Sequence, residues 1–156
     1  MTNDVVYQNF AATGDWIRSS LPDLESVINA GVRTVIYDGD ADYILNFYGV
    51  EAMVSARPSL SPTHLFWPII LTQLLYTQVA SLKTKFSSLF AKQQFASFTV
   101  NKVPAGLYKN AGTFSYLRVF GAGHEVPAYE WRGVPRGAAA LQMFTQIMSG
   151  KPLSGT

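Results

Sequence analysis

Two β-branched runs end directly in tight polar loops. Arg33-Thr-Val-Ile-Tyr37 runs into Asp38-Gly-Asp-Ala-Asp42, and Phe114-Ser-Tyr-Leu-Arg-Val-Phe120 into Gly121-Ala-Gly-His-Glu-Val-Pro127. Branched and aromatic residues in short runs form buried strands, and the Gly- and Asp-rich stretches after them form turns. Helix signals lie around both. Residues 22–30 carry Pro22 near the first helical position, Asp23 and Glu25 in the first turn and Gly31 as a stop, with Leu24, Val27 and Ile28 as an apolar stripe. Residues 43–54 read as a helix or helical turn weakened by Gly49. Residues 79–93 read as an amphipathic helix with Leu82, Phe86, Leu89 and Phe90 on one face. Segment 95–100 alternates as a strand, 102–112 carries hairpin signals, and 136–148 forms a closing helix before Gly150. Strands alternating with helices predict an α/β sheet rather than an all-α or all-β fold.

Composition narrows the function classes. A chain of 156 residues is one domain or part of one, and at 48% hydrophobic with 14% charged residues it has ample apolar surface to form a core. Twelve basic against ten acidic side chains, with no basic stripe, argues against an electrostatic nucleic-acid binder. The absence of Cys excludes disulfides, a cysteine nucleophile and thiolate metal sites within these residues. The most apolar stretch, 64–76, is broken by Pro68, Thr72 and Gln73 and falls short of the roughly 20 residues of a membrane helix, so no membrane association is expected. The first residues show no basic segment followed by an apolar one, and no signal peptide is read there.

In α/β folds, sites gather beyond the carboxyl ends of strands. An acid ending one strand and a histidine ending a later one form the acid–base half of a nucleophilic hydrolase, and α/β-hydrolases present serine, acid and histidine in that chain order. Taken singly, an Asp after a strand is ordinarily a turn former and a lone His a packed or surface residue. Asp38, Asp40 and Asp42 have the spacing of the first ligands of an EF-hand, but Tyr43 stands where its Gly belongs and Gly49 where its Glu belongs. Phosphoryl transfer lacks a Gly-rich phosphate loop, and nothing in the spacing demands a metal held by Asp40, Asp42 and His124.

At these residues the chain resembles the serine carboxypeptidases, most closely those of the fungal secreted branch. The resemblance is carried by TGDW (13–16), INAGVRTVIYDGDADYI (28–44) with Asn46, NAGTFSYLRVFGAGHEVPAY (110–129) and ALQMF (140–144). It implies the C-terminal part of an α/β-hydrolase sheet with flanking helices, incomplete, spanning residues 1–156. It further implies Asp42 as the catalytic acid, His124 as the catalytic base, and Asp40 as a structural neighbour in the acid loop. Glu125 and Val126 would flank the histidine where the family borders its substrate pocket. The implied reaction is hydrolysis of C-terminal peptide bonds through an acyl-enzyme, at acidic pH and without metal or organic cofactor, in a secreted or vacuolar parent enzyme.

Departures from the family pattern shape the expectation. No serine here has glycine at both −2 and +2, so the Gly-x-Ser-x-Gly elbow is not in this chain and the isolated chain is expected to be inactive without the N-terminal part of the domain. Leu45 stands where the family often has Cys, and Glu130-Trp131 replaces the usual residues after the histidine loop. Residues 54–78 have no counterpart in the family. Removing them joins GVEAM to VASLKTKF in one amphipathic helix, and the block reads as a translated intron or as a true surface insertion. His64 lies inside it and receives no function. Two rivals stand beside the peptidase reading: a related acyltransferase, and a non-catalytic fragment that pairs with a separate N-terminal chain.

Overall fold

The computed structural model describes residues 3–15, 18–55 and 82–156. Most of block 54–78, His64 and the predicted start of the 79–93 helix lie outside the described residues. In chain order the elements are α1 (Asp4–Thr13), α2 (Leu21–Asn29), β1 (Thr34–Gly39), α3 (Phe47–Ser55), α4 (Ser87–Lys92), β2 (Ala96–Val100), β3 (Val103–Ala111), β4 (Phe114–Val119) and α5 (Ala138–Met148). The strands form one mixed sheet in the order β1-β4-β3-β2. β1 runs parallel to β4, from Thr34 opposite Phe114 to Gly39 opposite Val119. β4, β3 and β2 are antiparallel neighbours. The predicted α/β class is the class observed.

Hairpin geometry fixes the antiparallel half. Asn101 and Lys102 both have positive φ (50° and 67°), the signature of the tight turn that joins twisted strands. The predicted hairpin signals of 102–112 therefore lie at the two ends of a single long strand, β3, and not within it.

β4 is the spine of the molecule. Its side chains alternate between two cores, as the two-residue period of a strand requires. Phe114 and Tyr116 enter a cluster with Ile28 of α2, Val54 of α3, Phe90 of α4, and Leu82. Leu117 and Val119 enter the other, with Phe98, Ala122, Val126, Val134, Ala139 and Met143 of α5, and Leu153. Full burial of one such side chain contributes roughly 1.5–3 kcal/mol.

Two predicted helices differ from the expectation. The 43–54 helix starts only at Phe47, because the Asn46 side chain accepts from the Gly49 N–H and sets its first turn. Among the described residues of the predicted 79–93 helix, only Ser87–Lys92 is helical. The Ser87 hydroxyl accepts from the Thr84 N–H (2.8 Å) and donates to the Leu82 carbonyl (2.7 Å). The N–H groups of Lys83 and Lys85 are taken by Glu25 and Asn29 of α2. Those side-chain bonds draw 82–86 out of helical pairing, and Leu89 is left exposed while Phe90 is buried.

Helix α1 was not anticipated. Asn3 caps it by accepting from the N–H groups of Val5 and Val6, and Gly14 closes it in the left-handed conformation. It buries no residue, so apolar periodicity gave no signal. No helix of the described residues is long and apolar enough to cross a membrane. Among these residues β1 has no partner on its outer edge, and Leu141, Phe144 and Met148 form an exposed apolar row on α5.

Candidate active site

The parallel pairing of β1 and β4 brings the two polar loops together, and backbone bonds carry that pairing past the strand ends. The Asp40 N–H donates to the Val119 carbonyl (3.0 Å) and the Ala41 N–H to the Ala122 carbonyl (2.9 Å). Gly39 makes this approach sterically feasible. A Cβ there would lie 2.1 Å from the Ala122 oxygen, closer than any real contact. Asp40 adds a side-chain tie, its Oδ1 accepting from the Gly121 N–H at 2.7 Å.

Beyond this double seam, Asp42 and His124 meet. His124 Nδ1 and Asp42 Oδ2 are 2.9 Å apart. The carboxylate is held from its other oxygen, Oδ1, which accepts from the N–H groups of Ile44 (2.9 Å) and Leu45 (3.1 Å). Slight desolvation pushes the Asp42 carboxyl up, but the hydrogen bonds to His124 and to these two amides outweigh it and hold it below its ordinary value. The pair is asymmetric in exposure: the Asp42 side chain is 7% exposed and the His124 ring 59%. An ionised, backbone-fixed acid thus holds an open imidazole by Nδ1. That leaves Nε2 directed away, with no hydrogen-bond partner among the described residues.

Asp40 and Glu125 occupy different positions. Asp40 makes no hydrogen bond to the imidazole among the described residues, and serves as the clasp between the loops. Glu125 is exposed next to His124, and its carbonyl accepts from Ala128 in the short 3-10 turn Val126–Ala128. Among the described residues, no group of three or more His, Asp or Glu side chains is arranged to hold a metal ion.

Behind the acid loop lies a polar cluster that sequence reasoning missed. Asp38 is buried, and the Tyr116 hydroxyl donates to it at 2.9 Å. Glu51 of α3 approaches the same hydroxyl at 3.4 Å and pairs with Arg118 at 3.0 Å. The Arg118 guanidinium lies over the rings of Phe47 and Phe95, and its Nε is buried without a hydrogen-bond partner among the described residues. Burial pushes the Asp38 carboxyl up to about 7, against the lowering effect of the Tyr116 hydrogen bond, with the Glu51 charge adding to the rise. Burial also raises Glu51, against the pull of Arg118, and raises the Tyr116 phenol, which stays a protonated donor. The available signal was the β4 alternation, which puts Tyr116 and Arg118 on the face of Phe114. The parallel register that sets Asp38 opposite Arg118 is invisible in sequence.

An acid and an imidazole joined across the carboxyl ends of parallel strands form an arrangement capable of acid–base chemistry. Comparison with known proteins supplies the family. The serine carboxypeptidase family matches residues 1–150. The chain is 34% identical over 150 residues to carboxypeptidase S1 of Penicillium janthinellum, covering 96% of this chain and 28% of that protein. It is 30% identical over 154 residues to carboxypeptidase S1 homolog A of Trichophyton rubrum, covering 96% of this chain and 19% of that protein. Carboxypeptidase Y of Komagataella phaffii is 29% identical over 125 residues, covering 80% of this chain and 19% of that one. The chain belongs to the serine carboxypeptidase family, and it spans less than a third of the length of these relatives.

Proposed function

We propose that this chain carries the acid and base of a serine-type carboxypeptidase. The observation that carries the reading is the 2.9 Å contact between Asp42 Oδ2 and His124 Nδ1 at the ends of two parallel strands. Asp42 fixes the tautomer with the proton on Nδ1 and stabilises the imidazolium formed in the reaction. His124 Nε2 takes the proton of a serine hydroxyl as that oxygen attacks the carbonyl of the last peptide bond. The same proton then passes to the departing amino group, freeing the C-terminal amino acid and leaving an acyl-enzyme. Water, deprotonated by His124, hydrolyses the ester and restores the serine. The hydrogen bonds that keep Asp42 ionised into the acid range support work at acidic pH.

The serine belongs to the N-terminal part of the domain, since no Gly-x-Ser-x-Gly lies in these 156 residues. The isolated chain is accordingly inactive, and the complete enzyme acts on peptide C-termini in a secreted or vacuolar setting. The test joins this chain to the portion of the Penicillium carboxypeptidase that it does not cover. Release of C-terminal amino acids is expected from the fusion and not from the chain alone. His124→Ala is expected to lower that release by about six orders of magnitude. A fusion that keeps its rate with His124→Ala, or an isolated chain that turns over peptides, would overturn the proposal.

A further inference from the structure

A cavity of about 380 Å³ opens between the acid loop and the turn that follows the histidine loop. It is lined by Asp40, Val103, Pro104, Phe120, Trp131 and Arg132. Its size falls near the lower end of the roughly 300–1,000 Å³ of small-molecule sites. Neither Asp42 nor His124 lines it, so the pocket is separate from the proposed peptidase site.

Three features show a built site rather than a surface dent. The first is the turn at 131–134, closed by reciprocal bonds between Trp131 and Val134, whose two central residues have positive φ (Arg132 41°, Gly133 93°). Asn, Asp or Gly ordinarily occupies the first of those places, and an arginine there carries a conformational cost. The second is what that cost achieves. The Arg132 guanidinium stacks over the Trp131 ring, 4.7 Å from its centroid, with no acidic partner among the described residues. Trp131 is seated in turn against Gly121 (φ 65°), where a Cβ would lie 2.0 Å from its ring. The third is Asp40, which spends Oδ1 on the Gly121 N–H and leaves Oδ2 without a hydrogen bond among the described residues.

One wall therefore offers an open carboxylate oxygen, the rim offers an unpaired guanidinium, and Val103, Pro104 and Phe120 supply an apolar floor. An anion alone would face Asp40 and a cation alone would face Arg132. A small molecule bearing both charges on an apolar body satisfies all three surfaces. We infer that this pocket binds an apolar α-amino acid zwitterion, its carboxylate on Arg132, its ammonium on Asp40 Oδ2 and its side chain on Phe120 and Pro104. Because Asp40 also clasps the histidine loop, such a ligand reports directly to the backbone that carries His124.

The test is a titration of the isotopically labelled full chain followed by nuclear magnetic resonance, the Trp131 indole signal being assigned with Trp131→Phe. L-Phenylalanine is expected to shift the Trp131 indole and Gly121 amide signals saturably. N-acetyl-L-phenylalanine, L-phenylalanine amide and toluene, which lack one or both charges, are each expected to bind at least tenfold more weakly. Arg132→Gly, which suits the positive φ and so keeps the turn, is expected to weaken L-phenylalanine by about tenfold, the loss of one charged contact. Three results would each overturn the inference: no saturable shift with L-phenylalanine, equal binding of a blocked analogue or of toluene, or undiminished binding by Arg132→Gly.

Discussion

The backbone N–H of Leu82 donates to the carbonyl of Met53 at 3.0 Å. An α-helix makes that bond between residues four apart, and with 54–78 removed Leu82 becomes the fourth residue after Met53. The chain on the far side of the block thus returns to the place an uninterrupted helix would give it. A variant lacking 54–78 is expected to keep the sheet and unfold cooperatively at the same temperature or a few degrees higher, since a shorter connection has a smaller closure entropy. Thermal unfolding followed by near-ultraviolet circular dichroism decides this. Loss of the cooperative transition would mark the block as part of the fold, and transcript sequencing would separate an intron from a genuine insertion.

Asp38 makes stability depend on pH in the direction opposite to an ordinary salt-bridged acid. Burial raises its carboxyl from 3.8 to about 7, among Glu51, Tyr116, Arg118 and Asp40, so the folded chain prefers it protonated. Its stabilising contribution is complete below about pH 4, falls by ~1.4 kcal/mol per pH unit as pH rises, and is gone above about 7. Asp38→Asn is expected to flatten that slope. Urea midpoints at pH 4.5 and 7 measure it, and a wild-type chain no less stable at pH 7 than at 4.5 would contradict the assignment.

Gly39→Ala places a methyl group on the Ala122 carbonyl and so pries apart the two loops. A loss of about 2–4 kcal/mol is expected, in the range of severe backbone substitutions. The diagnostic result is separation of the Asp42 and His124 side chains, read as loss of the hydrogen-bonded Nδ1 proton resonance. A stable variant with that resonance intact would show the seam to be less tight than the geometry indicates.

Asp42→Asn tests the tautomer directly. Because a carboxylate only accepts, the contact assigns the proton of a neutral imidazole to Nδ1 and the lone pair to Nε2. An asparagine amide facing Nδ1 donates instead and drives the proton to Nε2. Nitrogen-15 shifts of His124 are expected to exchange between the two ring positions, with little change in stability because the histidine ring is mostly exposed. Unchanged shifts would mean that Asp42 does not set the tautomer.

Much of this architecture was legible beforehand because it is local. The β-branched content of 34–37 and 114–119, the Pro and acids that open α2, and the glycines that end elements all act within a few residues. Where the expectation failed, a distant partner had intervened. Glu25 and Asn29 claimed the backbone of 83–85 and shortened α4, and the exposed α1 gave no apolar period to detect. At the site, an acid of the 38–42 loop and His124 could be singled out from their loops, with Asp42 chosen among the acids only by the family resemblance, whereas the Asp38–Tyr116–Glu51–Arg118 cluster and the Trp131–Arg132 pocket could not.

The sequence by itself determined the strands, their polar endings and the order of acid before histidine, because propensity and turn chemistry are properties of short segments. Tertiary structure alone decided that β1 lies parallel to β4 in the register that sets Asp42 against His124. That register depends on side chains from α2, α3 and α5 filling both faces of β4, and on Gly39 admitting the Ala122 carbonyl. Such contacts join residues some 80 positions apart, and no local preference encodes their distance.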